Sequence, residues 1–399
     1  MNVLVLNCGS SSIKYQLLNM DTEATLLAKG IVEKIGLACG SFTYKPEGKE
    51  KSVIEQPIPD HSAGMDLILK ALVDPRNGVL GSLAEINAVG HRVAHGGEYF
   101  SESVRVTPDA KEKIRALSEI APLHNPANLK GIETMERLLP SVPQVAVFDT
   151  SFHQTLPEKA YVYGIPYEYY EKYGVRRYGF HGTSHKFVAE KACRLLGWNI
   201  AEKKIITCHL GNGASITAIQ GGKSVDTSMG FTPVAGLVMG TRAGDLDLGA
   251  LLYVCEKEGY DLAQANTFIN KQSGVQGISG VSSDFRELWS AVEVGNKRAG
   301  LALDVFSYNV KKYIGAYAAA LNGVDLVIFT GGIGENDQPI REAVCEDMDF
   351  FGIRIDKQLN ASIKGKDTVI STADSRTKVM VISTDEELVI AMDTVRLSK

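Results

Sequence analysis

At 399 residues the chain is long for one domain and points to two, and 44% hydrophobic against 22% charged residues leaves ample core for both. A formal charge of −5 argues against non-specific nucleic-acid binding, so any anionic ligand must be held by local cations. The six cysteines, at 8, 39, 193, 208, 255 and 345, form no CxxC pair and read as reduced thiols in apolar roles. Met1 leads straight into a strand, and no apolar run approaches the ~18 residues of a membrane span, so a cytoplasmic protein without leader or membrane contact is expected.

The chain opens on VLVLNCGSSSIKYQLL at 3–18, two apolar strands joined by Asn7-Cys8-Gly9-Ser10-Ser11-Ser12. Small residues let backbone N–H groups approach an anion, serines add donors, and Lys14 adds a cation. The element is strand–turn–strand, so it is neither a Walker loop nor a dinucleotide fingerprint, both of which run into a helix. It is either a phosphate-binding turn or a tight Ser-rich hairpin. Strand-like segments follow near 24–33 and 40–45, then a polar Lys/Glu/Pro stretch at 45–60 and an amphipathic helix at 61–73. A buried strand at 86–90 ends in a His/Arg/Gly run, helices are expected at 108–119 and 126–139, and the strand QVAVF at 144–148 delivers Asp149 at its C-terminal end. Ligands gather at such strand ends in α/β sheets.

Seven tyrosines and two prolines at 157–178 suggest an ordered connection along the surface. Gly182-Thr183-Ser184 reads as turn and cap of a helix to about Leu196, and the strand KIITCHL at 204–210 runs into GNGASITAI. Here the chain repeats itself: strand, Gly turn and apolar strand centred on Gly9 recur centred on Gly211, 202 residues later, with a second turn one residue longer. That spacing suggests two related α/β halves facing each other across a cleft. Further helices are expected at 247–258, 283–294 and 297–321; buried strands lie at 324–330, opening into the Gly turn GGIGEN, and at 378–384, before a capped C-terminal helix.

His91/His95 and His181/His185 are each spaced by four, but a zinc-hydrolase reading lacks the Glu after the first His, and the local Gly and β-branched residues argue against helix. No GxSxG surrounds a serine, and GNGAS and GGIGEN lack the third glycine of the dinucleotide pattern. What remains is three Gly-rich turns after strands (9–12, 211–213, 331–334), the cations Lys14, Arg92 and Arg242, and the carboxylates Asp149 and Glu386. Each alone is commonly structural. Together they suit phosphoryl transfer, where a protein chiefly positions groups and neutralises charge.

The chain resembles the acetokinase family, within the acetate and sugar kinase, Hsp70 and actin superfamily. The resemblance runs nearly full length, through NCGSSSIK (7–14), HRVAHGG (91–97), PLHNP (122–126), FDTSFH (148–153), YGFHGTSH (178–185), HLGNGAS (209–215), DTSMGFTP (226–233), GTRAGDLD (240–247), SSDFR (282–286), GGIGEN (331–336) and STDEE (383–387). It implies a duplicated actin-like (ribonuclease H-like) α/β fold with two lobes around an interdomain cleft. The lobes would be 1–150, completed by a helix at about 384–399, and 151–383, which would carry the nucleotide motifs and the interface of a homodimer. It implies reversible transfer of the ATP γ-phosphoryl to acetate, giving acetyl phosphate and ADP, with Mg²⁺ and with Mn²⁺ able to substitute.

Carried over motif by motif, Asn7 and Glu386 would hold the metal, and Ser10, Ser12 and Lys14 would meet the phosphates. The turn His209, Leu210, Gly211, Asn212 and Gly213 would assist them, while Asp284, Phe285, Arg286 and the run Gly331, Gly332, Ile333, Gly334, Glu335 would surround the adenosine. Arg92 and Arg242 would flank carboxylate and phosphoryl, His181 would donate to the transition state, Asp149 would orient Arg242 or the metal, and His124 would support the site. Ala94, Leu123, Phe180 and Pro233 would receive the substrate methyl. Two positions depart from the family: Ala94 where Val is usual, which enlarges the pocket and makes propionate or a broader set of short acyl groups the alternative substrate, and Asp385 where Asn is common. A non-catalytic actin- or Hsp70-like ATP-binding module is the alternative from another class, and it would need no arginine pair.

Overall fold

The computed structural model describes residues 1–399, which form two compact units. The first comprises Met1–Ser151 and Asp385–Lys399, the second Phe152–Thr384. No helix is long and apolar enough to cross a membrane.

In the first unit β1 (Asn2–Cys8), β2 (Ser12–Asn19), β3 (Thr25–Glu33), β4 (Gly40–Pro46), β5 (Ser52–Gln56), β6 (Ile86–Val93), β7 (Val104–Arg105) and β8 (Gln144–Phe148) make one sheet, ordered β5-β4-β3-β2-β1-β6-β8-β7. β1, β6 and β8 are parallel, and β2 to β5 form an antiparallel meander. The central strands are apolar on both faces because helices cover both. Val3, Val5, Val145 and Val147 pack with Ile390 and Ala391 of helix Glu386–Ser398. Leu4 and Leu6 pack with Met65 and Ile68 of helix His61–Leu72 on the other face. A Cβ on Gly90 would lie 2.4 Å from Thr394 Oγ1, so the bare backbone there is what lets the last helix lie flat on β6.

In the second unit β9 (Lys204–Leu210), β10 (Ala214–Gln220), β11 (Lys223–Thr227), β12 (Leu326–Thr330), β13 (Thr368–Val369) and β14 (Lys378–Val381) are ordered β11-β10-β9-β12-β14-β13. Again the first two pairings are antiparallel, while β9, β12 and β14 are parallel. The 3-2-1-4-5 order of β3-β2-β1-β6-β8 thus recurs as β11-β10-β9-β12-β14. β9 repeats β1 at an offset of 202 residues at both ends, so the faint sequence repeat is a repeat of topology. The turns differ in the opposite sense to that expected: Cys8 pairs with Ile13 but Leu210 with Ala214, so the second turn is a residue shorter.

Several expectations need correction. β5 is an edge strand inside the Lys/Glu-rich stretch. β6 continues to Val93, so Arg92 lies within a strand. GGIGEN is a one-turn helix, Gly331–Asn336, and helices Leu262–Lys271 and Gly274–Ser279 lie where none was expected. The cap of helix Gly182–Leu196 is His181, in place of a Gly-Thr-Ser turn, so the argument against helix around His185 fails.

Candidate active site

In the first unit, the C-terminal ends of three parallel strands bring their polar residues together. Asn7 is the last residue but one of β1, Arg92 lies near the end of β6, and Asp149 follows β8. The register sets Arg92 opposite Val147, so Asp149 emerges two residues beyond that pairing. Arg92 Nε donates to Asp149 Oδ1 at 3.0 Å, Nη2 to Oδ2 at 2.5 Å, and Nη1 to Asn7 Oδ1 at 3.2 Å. This is a planar two-point ion pair. The Asp149 charge holds Arg92 above the usual arginine range, with Glu386 and Glu387 adding to it. Burial, helped by Glu386, pushes Asp149 up, against the pull of Arg92 and His124. With both oxygens accepting guanidinium N–H groups, Asp149 is held as a carboxylate against the charged Arg92.

Glu386 opens the last helix, whose cap is Asp385, accepting the Leu388 N–H at 2.9 Å. The departure at Asp385 is thus a helix cap, a role that Asn or Asp fills equally well. Ala94 is buried, its N–H held by Asn128 Oδ1 at 3.0 Å, and Asn128 also donates to the Cys8 carbonyl at 2.7 Å. Leu123 is exposed, and His124 caps helix Asn125–Leu138. Ser10 is exposed at the tip of the first turn, which a Gly9 N–H to Ser12 carbonyl bond of 2.8 Å closes; Lys14 stands exposed on β2 opposite Asn7.

The oxygen donors Asn7 and Glu386 suit a hard divalent cation. No cluster of three His, Cys, Asp or Glu side chains forms a protein cage for a metal. The donor set fits a hard divalent cation that completes its shell with substrate phosphates and water.

In the second unit, His181 caps helix Gly182–Leu196 with φ +57°, one of four non-glycine residues with positive φ. That conformation costs an L-residue on the order of 1–2 kcal/mol and collects at functional sites. The His181 ring stacks on His209 at 4.2 Å, and its Nδ1 lies 2.9 Å from Ser215 Oγ. Arg242 is in a different state from Arg92. It forms no ion pair; Nη1 reaches only the Pro233 carbonyl at 3.5 Å and Met239 Sδ at 3.8 Å, and burial pulls its pKa down. A Cβ on Gly213 would lie 3.2 Å from Arg242 Nη1 and 3.7 Å from His181 Nε2, so both groups border the β9–β10 turn. A desolvated guanidinium without a counter-ion is a receptor for an incoming anion.

A cavity of about 900 Å³ opens beside the same turn. Of the residues expected around the nucleotide, Gly211, Asn212, Asp284, Phe285, Arg286, Gly332 and Ile333 line it. Asp284 caps helix Phe285–Glu293 and pairs with Arg286 at 2.6 Å. Leu210, Gly331, Gly334 and Glu335 stand behind. Glu335 accepts the N–H groups of Gly331 at 3.0 Å and Thr384 at 3.1 Å, and Gly331 has φ +77° with Leu210 too close for any side chain. Sequence reasoning missed Trp289, Asp337 and Lys364 in the lining; Trp289 Nε1 donates to Asp337 Oδ2 at 2.8 Å. It also missed Ser215 and His185, although both lie inside quoted motifs. Phe180 packs into the core of this unit, and Pro233 contributes its carbonyl to Arg242.

The acetate kinase of Bacteroides thetaiotaomicron is 57% identical over 401 residues, covering all of both chains. The crystal structure of Porphyromonas gingivalis acetate kinase superposes with a TM-score of 0.97 at 52% identity over all of both chains. That of a propionate kinase from Francisella tularensis gives 0.92 at 42% identity over 99% of both. Residues 2–392 match the acetokinase family, and the chain belongs to it.

Proposed function

We propose that the protein transfers the γ-phosphoryl of ATP reversibly to acetate, by direct in-line displacement. An acetate oxygen attacks the γ-phosphorus, the bond to the β,γ-bridging oxygen breaks, and ADP leaves with that electron pair. Acetate is already ionised at pH 7, its pKa being near the roughly 4.3 of Glu, so no base is needed. The obstacle is repulsion between two anions, and the observation that carries the reading is Arg242, half-buried and without a carboxylate partner. Its planar donors receive the anion, and His181 donates to the transferring phosphoryl. Arg92, held flat by Asp149, binds the other anion; Asp149 works as an electrostatic organiser and takes no proton.

The second unit carries the nucleotide, its base against Phe285 and Ile333, while Ser10, Ser12 and Lys14 meet phosphate oxygens. Asn7 and Glu386 would hold Mg²⁺, with Mn²⁺ able to substitute, and the bound ion would supply charge neutralisation to the transferring phosphoryl. Homodimerisation through the second unit is supported by helices Leu248–Glu258 and Leu262–Lys271, which have no buried residue and expose Leu248, Leu252, Tyr253 and Leu262. Apolar faces of this kind mark interaction sites. A cytoplasmic location is supported by six cysteines that are all free.

Propionate is the second substrate, because Ala94 lacks the two methyl groups of Val. Acyl phosphate trapped with hydroxylamine across acetate, propionate and butyrate tests the assignment. Acetate gives the highest kcat/KM, and Ala94→Val widens its lead over propionate by up to about tenfold, within the ~1–3 kcal/mol that a methylene is worth. A higher kcat/KM for propionate in the unaltered protein contradicts the acetate reading.

A further inference from the structure

Behind the His181 ring runs a buried hydrogen-bonded chain that the reaction as described does not use. Ser215 Oγ lies 2.9 Å from His181 Nδ1 and 2.7 Å from His185 Nε2, and His185 Nδ1 lies 2.6 Å from Thr207 Oγ1. His185, Thr207 and Ser215 have no exposed surface. Burial, with His153 and His209 nearby, holds His185 far below the ordinary imidazole pKa, so it is neutral, with one N–H and one lone pair.

Two proton arrangements make the three central contacts and use the Ser215 proton; a third, with both rings donating to Ser215 Oγ, leaves that buried proton without an acceptor, at a cost of roughly 1–3 kcal/mol. In one, His185 Nδ1–H donates to Thr207, Ser215 donates to His185 Nε2, and His181 Nδ1–H donates to Ser215. A neutral His181 then presents a lone pair at Nε2. In the other every arrow reverses: Thr207 donates to His185 Nδ1, His185 Nε2–H to Ser215, and Ser215 to His181 Nδ1. A neutral His181 then carries its proton on Nε2.

Thr207 decides between them. The Thr207 hydroxyl has the His185 ring as its one hydrogen-bond partner. If it accepts from that ring, its own proton is buried without an acceptor, at a cost of roughly 1–3 kcal/mol. If it donates, His185 Nε2–H donates to Ser215, and the buried Ser215 proton is used only by donating to His181 Nδ1. We propose that Thr207, His185 and Ser215 are positioning residues that fix His181 as the Nε2–H tautomer, so that it donates a hydrogen bond to the transferring phosphoryl while neutral. The proposal rests on the phosphoryl-transfer reading. No proton is transferred; the chain sets only where the proton sits. The groups facing the His181 ring are His209, stacked on it at 4.2 Å, His185 at 6.4 Å, and the Arg242 guanidinium across Gly213.

Thr207→Val keeps the shape and removes the directing proton, Ser215→Ala cuts the chain, and Thr207→Ser restores the donor. Long-range ¹H–¹⁵N spectra of histidine-labelled protein, with His181 assigned by His181→Gln, read the tautomer without reference to activity. The unaltered protein and Thr207→Ser show the Nε2–H form, and Thr207→Val loses it. In the acyl phosphate assay, Thr207→Val and Ser215→Ala lose up to about 10²-fold in kcat, the low end of what one preorganised donor contributes, with both KM values within about twofold, and Thr207→Ser recovers the rate. An Nδ1–H form in the unaltered protein overturns the proposal, as does an Nε2–H form that persists in Thr207→Val, or an undiminished kcat in both Thr207→Val and Ser215→Ala. If the unaltered protein makes no acyl phosphate, the functional reading fails, and the spectra still decide the tautomer.

Discussion

Arg92 and Arg242 are both largely buried arginines beside strand-end turns of related topology, yet they are held in opposite ways. Arg92 spends two of its N–H groups on Asp149 and one on Asn7. Arg242 has a carbonyl and a sulfur for partners and no carboxylate. The difference separates orientation from attraction. A paired guanidinium is aimed but largely neutralised, whereas an unpaired one keeps its charge for a ligand and carries the desolvation cost in the empty protein. Phosphoryl transfer to a carboxylate has a use for both.

The first way to sharpen this contrast is stability. Arg92→Met strands a buried carboxylate and costs on the order of 3 kcal/mol, the lower end for breaking a buried pair, whereas Arg242→Met relieves an unpaired charge and leaves the urea midpoint unchanged or raised. The Arg92→Met deficit depends on pH. The unpaired Asp149 has its folded pKa above the unfolded ~3.9, so the penalty is absent below that value and grows as pH rises through the folded pKa. Asp149→Asn in the Arg92→Met background recovers stability and no activity.

Next is acid sensitivity, which both units share. Burial lowers His91 and His153 to about 4. A base whose folded pKa is depressed leaves the folded state with fewer bound protons. Stability is therefore complete above the unfolded ~6.5 and is lost as pH falls toward 4, by up to about 3 kcal/mol per histidine. Urea midpoints between pH 7 and pH 4 measure it, and His91→Gln and His153→Gln each flatten the slope.

The two turns give a smaller effect. Gly213→Ala places a Cβ 3.2 Å from Arg242 Nη1, and Gly9→Ala places one 3.1 Å from Ser12 Oγ, which can rotate away. Gly213→Ala lowers kcat about tenfold, or 1.4 kcal/mol, and Gly9→Ala changes it little. Smallest is Ser10→Ala, which removes one exposed neutral donor to phosphate. It raises the KM for ATP several-fold, about the 0.5–1.5 kcal/mol of an ordinary hydrogen bond, with kcat steady.

The doubled topology was legible in the sequence because its central strands are apolar on both faces and end in Gly turns, at Gly9 and again at Gly211. β5 was not: its residues are largely exposed, and pairing with β4 decides its conformation, not apolar alternation. Helix Leu248–Glu258 was legible although it buries none of its apolar residues, whereas Leu262–Lys271, which also buries none, was not. At the site, residue types were legible and pairings were not. Asp149 was expected on Arg242 or the metal, but the parallel register of β6 and β8 puts it on Arg92, 57 residues away in sequence. The Ser215–His185–Thr207 chain was hidden for the same reason, since it joins a helix to two strands.

The most direct test is Arg242→Ala, assayed for hydroxylamine-trapped acetyl phosphate and for ATP binding by calorimetry. An anion receptor predicts loss of transfer by about 10²–10³, the effect of removing one such donor, with ATP affinity within a few-fold and thermal stability intact. Transfer near the unaltered rate contradicts the account.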